Sequence, residues 1–401
     1  MSVTAARGFV AAGGAIGIKA GGAPDIAVVA TSDGQAVPAA GVFTQNRAAA
    51  APVLLSRAHL AATGSRAAGV VLTSGNANAA TGPAGHRAAE SLCRLTAEGI
   101  GASPEEILVC QTGLIGVPFP EAVLGNVAAV VSARAGGSDA GVAAATAIMT
   151  TDTVRKEAVA IVAGTGGSGA GGSGGGSCVV GGMAKGAAML APDMATMLAV
   201  ITTDAAADGA TLQAVLREAV AVSFNALMVD GSTSTNDTVL LLASGVAGPV
   251  DERALADGVA AVCRELAGAM AADAEGATKV ARITVTGALS DDDAHRAARR
   301  VAGSLLVKCS LNGADPYWGR IVSELGSSGA GFDLGSVSVR YGGVEVCKAG
   351  TAAVHDDAAL AAHMAGRHVE ITCDLGLGHG RSAVLATDLG HGYIDENRTT
   401  S

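Results

Sequence analysis

The stretch Lys185-Gly-Ala-Ala-Met-Leu-Ala-Pro-Asp-Met-Ala195-Thr196-Met-Leu lies near the middle of a chain of 401 residues. It contains no His, no pair of acidic residues and no Cys cluster. Taken alone, Thr196 among apolar neighbours is typical of a buried β-branched residue in a core. A functional interpretation of Thr196 therefore depends on residues elsewhere in the chain.

The composition predicts a globular protein with a large core. Hydrophobic residues make up 49% of the chain and charged residues 15%, which is far from the composition of disordered chains. Aromatic residues reach only 2% while Gly occurs 57 times, so the core must consist of small and aliphatic side chains packed closely together. The length allows two or three domains.

Charge and Cys usage exclude several classes of protein. The net charge of −10 argues against a nucleic-acid partner, which requires clustered Lys and Arg. Apolar runs are too short for a membrane span, and the first residues lack the pattern of a signal peptide. The seven Cys are dispersed and form no CxxC pair, as expected of reduced thiols. We therefore expect a soluble, cytoplasmic protein without a nucleic-acid, membrane or metal partner.

Apolar patterns of helical and strand type alternate irregularly along the chain, with Gly turns between them. This order predicts the α/β or α+β class. A Gly/Ser-rich stretch at 164–177 is predicted as an enlarged hairpin tip, and its GxGxxG match reflects composition alone. Strands are predicted at 26–30, 40–44, 69–73, 107–110, 158–163, 178–181, 198–202, 239–242, 283–286, 337–341 and 369–374, and helices at 84–98, 138–149, from 208, at 252–272, 292–306 and 356–365.

The strand predicted at 107–110 runs into Gln111, Thr112 and Gly113. A hydroxyl and a flexible backbone amide at the end of a strand suit a pocket that stabilises an anion. The alternative is an ordinary strand-to-helix turn in which Thr112 caps the helix. The sequence of this segment alone leaves both interpretations open.

The motifs of several common enzyme classes are absent. The chain has no HExxH, no GxSxG in a strand-turn-helix setting and no Walker lysine after a Gly loop. The eight His belong to no motif and are predicted to lie at the surface or to cap helices. A catalytic mechanism would therefore need a nucleophile that works without His.

A Thr at a chain end provides such a nucleophile. Cleavage between Ala195 and Thr196 would give Thr196 a free α-amine with a pKa of about 7.7–8.0 beside its own hydroxyl. One residue then holds both the nucleophile and the general base. The same hydroxyl can attack the preceding carbonyl in an N-to-O acyl shift, and the small Ala195 leaves that carbonyl accessible.

Several segments together closely resemble the ornithine acetyltransferase family. They occur in the order found in that family and extend from Gly17 to Ser401, with the Gly/Ser-rich stretch as a departure from its usual hairpin. The segments are Gly75-Asn-Ala-Asn-Ala, Thr112-Gly-Leu-Ile-Gly116, Met149-Thr-Thr-Asp152, the stretch from Lys185 to Leu198, Ser234-Thr-Asn-Asp-Thr238, Asp315-Pro-Tyr-Trp-Gly-Arg320 and the tail from Tyr393 to Asn397.

The resemblance implies a fold of layered sheets and helices of the self-cleaving N-terminal-nucleophile type. It implies an α chain of residues 1–195 and a β chain of residues 196–401, with a C-terminal subdomain from about 280, assembled as α2β2. The implied reaction moves an acetyl group from N-acetylornithine to glutamate by a ping-pong route in arginine biosynthesis. We also expect the bifunctional activity, in which acetyl-CoA serves as a donor substrate, and no resident cofactor.

The resemblance also assigns roles to single residues. Thr196 is implied as the nucleophile, and the Thr112 hydroxyl and Gly113 amide as the oxyanion hole. Glu275 suits a cationic amino group and Lys185 a carboxylate, although without the resemblance both could be plain surface charges. The residues implied to contact substrate are Thr150, Lys185, Thr196, Glu275, Asn397 and Ser401.

Two other functions remain as alternatives. A self-processing amidase or aminopeptidase would use the same nucleophile with water as the acceptor. A small-molecule binding protein without enzymatic activity would carry an inert Thr196 in an uncleaved chain of 38.7 kDa.

Overall fold

The computed structural model of the protein describes residues 2–163, 176–190 and 197–398. Ala195, Thr196, Ser401 and most of the Gly/Ser-rich stretch lie outside the described residues, so the predictions for them remain predictions. Within the described ranges, no helix is long and apolar enough to cross a membrane.

The first half of the fold contains two sheets packed face to face. A four-stranded sheet has the order β1-β2-β5-β6, and a six-stranded sheet has the order β4-β3-β11-β9-β8-β7. The strands are β1 Phe9–Gly14, β2 Ile26–Thr31, β3 Val37–Phe43, β4 Arg66–Ala67, β5 Gly69–Asn76, β6 Ile107–Leu114, β7 Lys156–Val162, β8 Cys178–Lys185, β9 Leu198–Ala206 and β11 Thr238–Pro249.

Helices pack on the outer faces of the two sheets and also contribute to the core between them. Those of this half are α1 Ala51–Ala62, α2 Gly82–Ile100, α3 Val127–Ser132, α4 Ser138–Ala147, α5 Gly209–Ala221 and α6 Glu252–Ala272. The helices α2 and α3 pack on the four-stranded sheet, and α5 and α6 pack on the six-stranded sheet. The order of layers is thus helix, sheet, sheet, helix.

These layers follow from the way successive side chains of a strand point to opposite faces of its sheet. On β9, Leu198 and Val200 face the other sheet, whereas Ala199 and Ile201 face α5 and α6. Because successive side chains of a strand point to opposite faces, a strand buried on both sides reads as a continuous apolar run. The apolar run predicted as a strand at 198–202 has this form.

The C-terminal part forms a seven-stranded sheet in the order β10-β17-β12-β16-β13-β14-β15, with α7 packed on one face. Its strands are β10 Leu227–Met228, β12 Val280–Ala288, β13 Ser338–Tyr341, β14 Val344–Lys348, β15 Thr351–Ala352, β16 His368–Asp374 and β17 Gly380–Thr387, and its helices are α7 Asp291–Gly303, α8 Leu305–Asn312, α9 Trp318–Gly326, α10 Asp357–Ala365 and α11 His391–Asn397.

The predicted fold class, α/β with layered sheets and helices, is confirmed. One predicted helix is wrong, because the segment 292–306 is split between α7 and α8. Ser304 has the extended backbone of a helix cap (φ −70°, ψ 120°), and its hydroxyl accepts a hydrogen bond from the Val307 amide. A Ser that caps the next helix in this way ends the preceding one.

Candidate active site

A cavity of about 450 Å³ opens where β6 and β8 end, beside the loop between α6 and β12 and the start of the C-terminal tail. All the described residues that the sequence predicts for the oxyanion hole and for substrate binding line this one cavity. They are Thr112, Gly113, Thr150, Lys185, Glu275 and Asn397, accompanied by Leu114, Ile115, Thr151, Ala188, Met189, Glu396 and Arg398.

Thr112 and Gly113 belong to β6, which continues to Leu114 in parallel pairing with β5. The alternative of a helix-capping turn at Thr112 is therefore wrong. Gly113 has a φ of +129°, and a Cβ atom there would lie 2.3 Å from the carbonyl carbon of Gly75. Only glycine fits this position, and the strand end thus brings a backbone amide and a hydroxyl to the cavity wall.

Lys185 ends β8 and is only 3% exposed. Its Nζ lies 3.4 Å from the Thr112 Oγ1 and 3.9 Å from the Asp152 Oδ2. Burial lowers the pKa of Lys185 from its ordinary value, and the Asp152 carboxylate opposes that shift. The alternative of a plain surface charge is wrong for Lys185.

A buried ion cluster of Asp152, Lys156, Lys185 and Asp273 lies behind the cavity. The Lys156 Nζ donates to the Asp152 Oδ1 and to the Asp273 Oδ2, each at 2.6 Å. The Asp152 carboxylate also accepts from the amides of Thr150 and Gly186. Burial alone would raise the pKa of Asp152, but Lys185, Lys156 and these hydrogen bonds lower it to about 2. The cluster therefore fixes an ionised acid beside Lys185.

The opposite wall comes from Glu275 and the C-terminal tail. The Asn397 Nδ2 donates to the Glu275 Oε2 at 2.8 Å, and the Glu275 amide donates to the Ala187 carbonyl. Glu275 is 8% exposed, so it is not a plain surface charge either. Gly276 has a φ of +63°, and a Cβ there would lie 2.1 Å from the Tyr393 nitrogen. A glycine at 276 is what allows helix α11 to approach Glu275.

Strand β9, which follows the predicted nucleophile in the chain, begins beside the end of β8. Leu198 pairs with Lys185 in the antiparallel register of β8 and β9. The described chain resumes at Met197, immediately before this strand, so its first residues lie beside the end of β8.

Asp237, the residue before β11, contacts the backbone of Met197. Its Oδ1 accepts a hydrogen bond from the Met197 amide at 2.8 Å, whereas its Oδ2 is buried and has no partner among the described residues. Burial raises the pKa of Asp237 well above its ordinary value, and the Met197 amide and Lys185 oppose the shift. A buried carboxyl group thus adjoins the residue after Thr196.

Taken together, the site combines an anion-stabilising strand end, a buried cation and a carboxylate on one cavity. Such a set can bind a substrate with both an amino and a carboxylate group and can stabilise a tetrahedral oxyanion. No group of three or more His, Cys, Asp or Glu in the described parts of the chain has the arrangement of a metal site.

Sequence comparison assigns the family. The sequence profile of the ArgJ family matches residues 10–399 of this chain. The chain is 46% identical over 406 residues to the arginine biosynthesis bifunctional protein ArgJ of Mycolicibacterium paratuberculosis, covering 100% of this chain and 96% of the relative. It is 45% identical over 404 residues to the protein of that name from Thermobifida fusca, with 100% of both chains covered. The chain belongs to the ArgJ family.

Two solved structures each match about half of this chain. The arginine biosynthesis bifunctional protein ArgJ of Bacillus halodurans is 33% identical, with a TM-score of 0.48, covering 49% of this chain and 96% of that one. The ornithine acetyltransferase of Mycobacterium tuberculosis, solved with ornithine, is 40% identical, with a TM-score of 0.41, covering 48% of this chain and 94% of that one.

Several residues at the site of this ArgJ-family chain were not singled out by the sequence. They are Asp152 and Asp237, which lie within the quoted segments, and Lys156 and Asp273, which lie outside them. The i, i+4 spacing of Asp152 and Lys156 was the available signal. Asn236 is also structural here, since its Nδ2 donates to the carbonyls of Ala77 and Gln111 and so holds the end of β6.

The His and Cys residues do not contribute to the cavity. His59 is buried, with its Nδ1 2.7 Å from the Ile107 carbonyl oxygen, so the prediction of a surface or capping role is wrong for this residue. The seven Cys are free thiols, and only Cys309 is exposed.

Proposed function

We propose that this ArgJ-family chain is a self-cleaving acetyltransferase that moves an acetyl group from N-acetylornithine to glutamate. Cleavage between Ala195 and Thr196 gives the α chain 1–195 and the β chain 196–401, the latter with a C-terminal subdomain from about 280, in an α2β2 assembly in the cytoplasm. Acetyl-CoA serves as a second donor substrate, and no resident cofactor takes part.

The observation that carries this proposal is the convergence of Thr112, Gly113, Lys185 and Glu275 on one cavity beside the chain that leads to Thr196. The Thr112 hydroxyl and Gly113 amide suit an oxyanion, and Lys185 and Glu275 suit the carboxylate and amino groups of an amino acid. The chemistry of the cavity thus matches both proposed substrates.

In the processing step, the Thr196 hydroxyl oxygen attacks the Ala195 carbonyl carbon and the peptide C–N bond breaks. The resulting ester holds the Ala195 acyl group, and the Thr196 amine is free. Water then hydrolyses the ester, so the α chain leaves with a carboxylate and Thr196 recovers its hydroxyl. The free amine is now the general base for the transfer reaction.

In the transfer step, the Thr196 hydroxyl attacks the acetyl carbonyl of N-acetylornithine and its proton passes to the Thr196 amine. The C–N bond of the amide breaks, and ornithine leaves with that proton. The glutamate amine then attacks the acetyl ester, giving N-acetylglutamate and restoring the hydroxyl. Thr112 and Gly113 stabilise the oxyanion in both halves of the reaction.

The direct test is the variant Thr196→Ala, with Thr196→Ser as its conservative control. We expect Thr196→Ala to remain a single chain of 38.7 kDa on denaturing electrophoresis and to form no N-acetylglutamate. Thr196→Ser retains a hydroxyl and should retain measurable processing. Full transfer activity in Thr196→Ala would refute the proposal and the amidase alternative together.

A second measurement separates transfer from hydrolysis. We expect N-acetylornithine to be consumed in stoichiometry with N-acetylglutamate, and beyond a single turnover per active site only when glutamate is present. Rapid release of free acetate without glutamate would favour the amidase instead. Formation of N-acetylglutamate from acetyl-CoA and glutamate alone tests the bifunctional activity.

A further inference from the structure

A second cavity, of about 300 Å³, lies between helices α5 and α6 and the C-terminal sheet. It shares no lining residue with the candidate active site. Three arginines from three different elements line it: Arg264 of α6, Arg282 of β12 and Arg381 of β17. The fold thus brings three permanent positive charges to one cavity of a chain whose net charge is −10.

These arginines have few acidic neighbours. The Arg282 Nε lies 3.7 Å from the Glu370 Oε1, and about half of each of these side chains is exposed. Within the described ranges, no carboxylate forms an ion pair with the guanidinium group of Arg264 or Arg381. Asp291 is close to Arg381 in the fold, but it accepts a hydrogen bond from the Arg381 backbone amide.

Some exposed arginines of this chain have acidic partners, such as Arg94 with Glu98 and Arg253 with Glu218 and Asp257. Others, such as Arg217, form no ion pair among the described residues. Arg264 and Arg381 differ from these because both line one cavity together with Arg282.

Repulsion between like charges in a partly enclosed space opposes this arrangement. Arginine cannot relieve it by losing a proton, since its guanidinium group stays charged in proteins. An anion in the cavity would relieve it, and the planar guanidinium group is well suited to carboxylates.

The rest of the lining indicates what kind of anion fits. Ala226, Ala267, Ala383 and Leu385 provide an apolar surface with room above the small Ala side chains. Ser223 and Ser382 also line the cavity, with their hydroxyl groups hydrogen-bonded to the Ala219 carbonyl and to the His295 ring, respectively. A short aliphatic body between two negative groups matches this combination, whereas an ion without carbon atoms would leave the apolar surface unused.

We propose that this second cavity is a binding site for a small dicarboxylate, held by Arg264, Arg282 and Arg381. The site is separate from the acetyl-transfer cavity, and the proposal does not depend on the proposed function.

The test is isothermal titration calorimetry of the full-length protein with succinate, compared with inorganic phosphate at the same pH and ionic strength. The key variant is R264Q/R381Q, and the matched control is R217Q, which removes an exposed arginine of α5 outside the cavity. All three arginines are exposed, so we expect the variants to fold, which thermal denaturation checks.

We expect succinate to bind the wild-type protein and R217Q equally and to bind R264Q/R381Q at least about tenfold more weakly, since each lost guanidinium removes charge-assisted hydrogen bonds. Phosphate should bind the wild-type protein more weakly than succinate. An unchanged dissociation constant in R264Q/R381Q, an equal loss in R217Q, phosphate binding as tight as that of succinate, or no succinate binding would each overturn the proposal.

Discussion

The two walls of the candidate active site hold their charges in different ways. On one wall, the buried ion cluster of Asp152, Lys156, Lys185 and Asp273 fixes each charge through several partners. On the other wall, Glu275 meets the tail through one side-chain hydrogen bond from Asn397 at 2.8 Å. Charges removed from water need full pairing, whereas a group at a cavity mouth can exchange its partner for a ligand. The first wall thus fixes its charges through several partners, whereas the second leaves Glu275 with one side-chain partner that a ligand can replace.

The largest effect should come from breaking the buried ion cluster with Asp152→Asn. This variant leaves two buried lysines with one carboxylate fewer, and we expect the free energy of unfolding to fall by about 3–5 kcal/mol. Urea denaturation measures it. The control Arg94→Gln removes an exposed ion pair with Glu98 and should cost about 1 kcal/mol or less. Similar losses in both variants would show that the cluster has no special role in stability.

The next-largest effect should come from Thr112, near the end of β6 on the candidate active site. Thr112→Val keeps the shape of the side chain but removes the hydroxyl, and we expect kcat to fall about 100- to 1000-fold. Steady-state transfer of acetyl to glutamate measures it. Thr112→Ser should recover much of the rate, and Thr151→Val, on the same cavity, should change it little. A normal kcat in Thr112→Val would remove Thr112 from the oxyanion hole.

A smaller effect is the acid dependence of the buried ion cluster. The pKa of Asp152 in the folded protein is about 2, below its ordinary value of 3.8. The stabilisation from its ionised form is therefore fully present above pH 3.8 and is lost as the pH falls toward 2. The stability difference between the wild-type protein and Asp152→Asn should shrink by about 2 kcal/mol over this range. Urea denaturation at several pH values checks this, and a constant difference would contradict it.

The smallest effect should come from the tail wall. Asn397→Ala removes the hydrogen bond to Glu275, and we expect KM for N-acetylornithine to rise about tenfold with kcat nearly unchanged. Steady-state kinetics separates the two constants. Glu396→Gln, at the same cavity mouth, is the matched control. A fall in kcat with an unchanged KM would mean that Asn397 acts on the transition state rather than on substrate binding.

The sequence could predict those parts of the fold that have a local pattern of apolar residues. Regular apolar patterns predicted the long elements well, and the helix predicted at 252–272 spans the observed Glu252–Ala272. The strand β17 was missed because its residues, Gly-Arg-Ser-Ala-Val-Leu-Ala-Thr, show no clear alternation, and its pairing with β12 depends on a segment about a hundred residues away. Long-range pairing of this kind has no local signal in one sequence.

The prediction of the candidate active site was limited in a similar way. The resemblance to the family placed Thr112, Lys185, Glu275 and Asn397 together, as the cavity has them. It did not indicate that Lys156 is fully buried between two carboxylates, because burial and ion pairing depend on how distant segments pack. The break at Ser304 was missed because a Ser within an amphipathic pattern does not show whether its side chain caps a new helix.

The most direct test of the central claim is the intact mass of the purified protein after mixing with N-acetylornithine in the absence of glutamate. We predict two polypeptides, 1–195 and 196–401, with one acetyl group on Thr196 of the second, lost when glutamate is added. A single unbroken chain in fully active protein, or an acetyl group on another residue, would contradict the account.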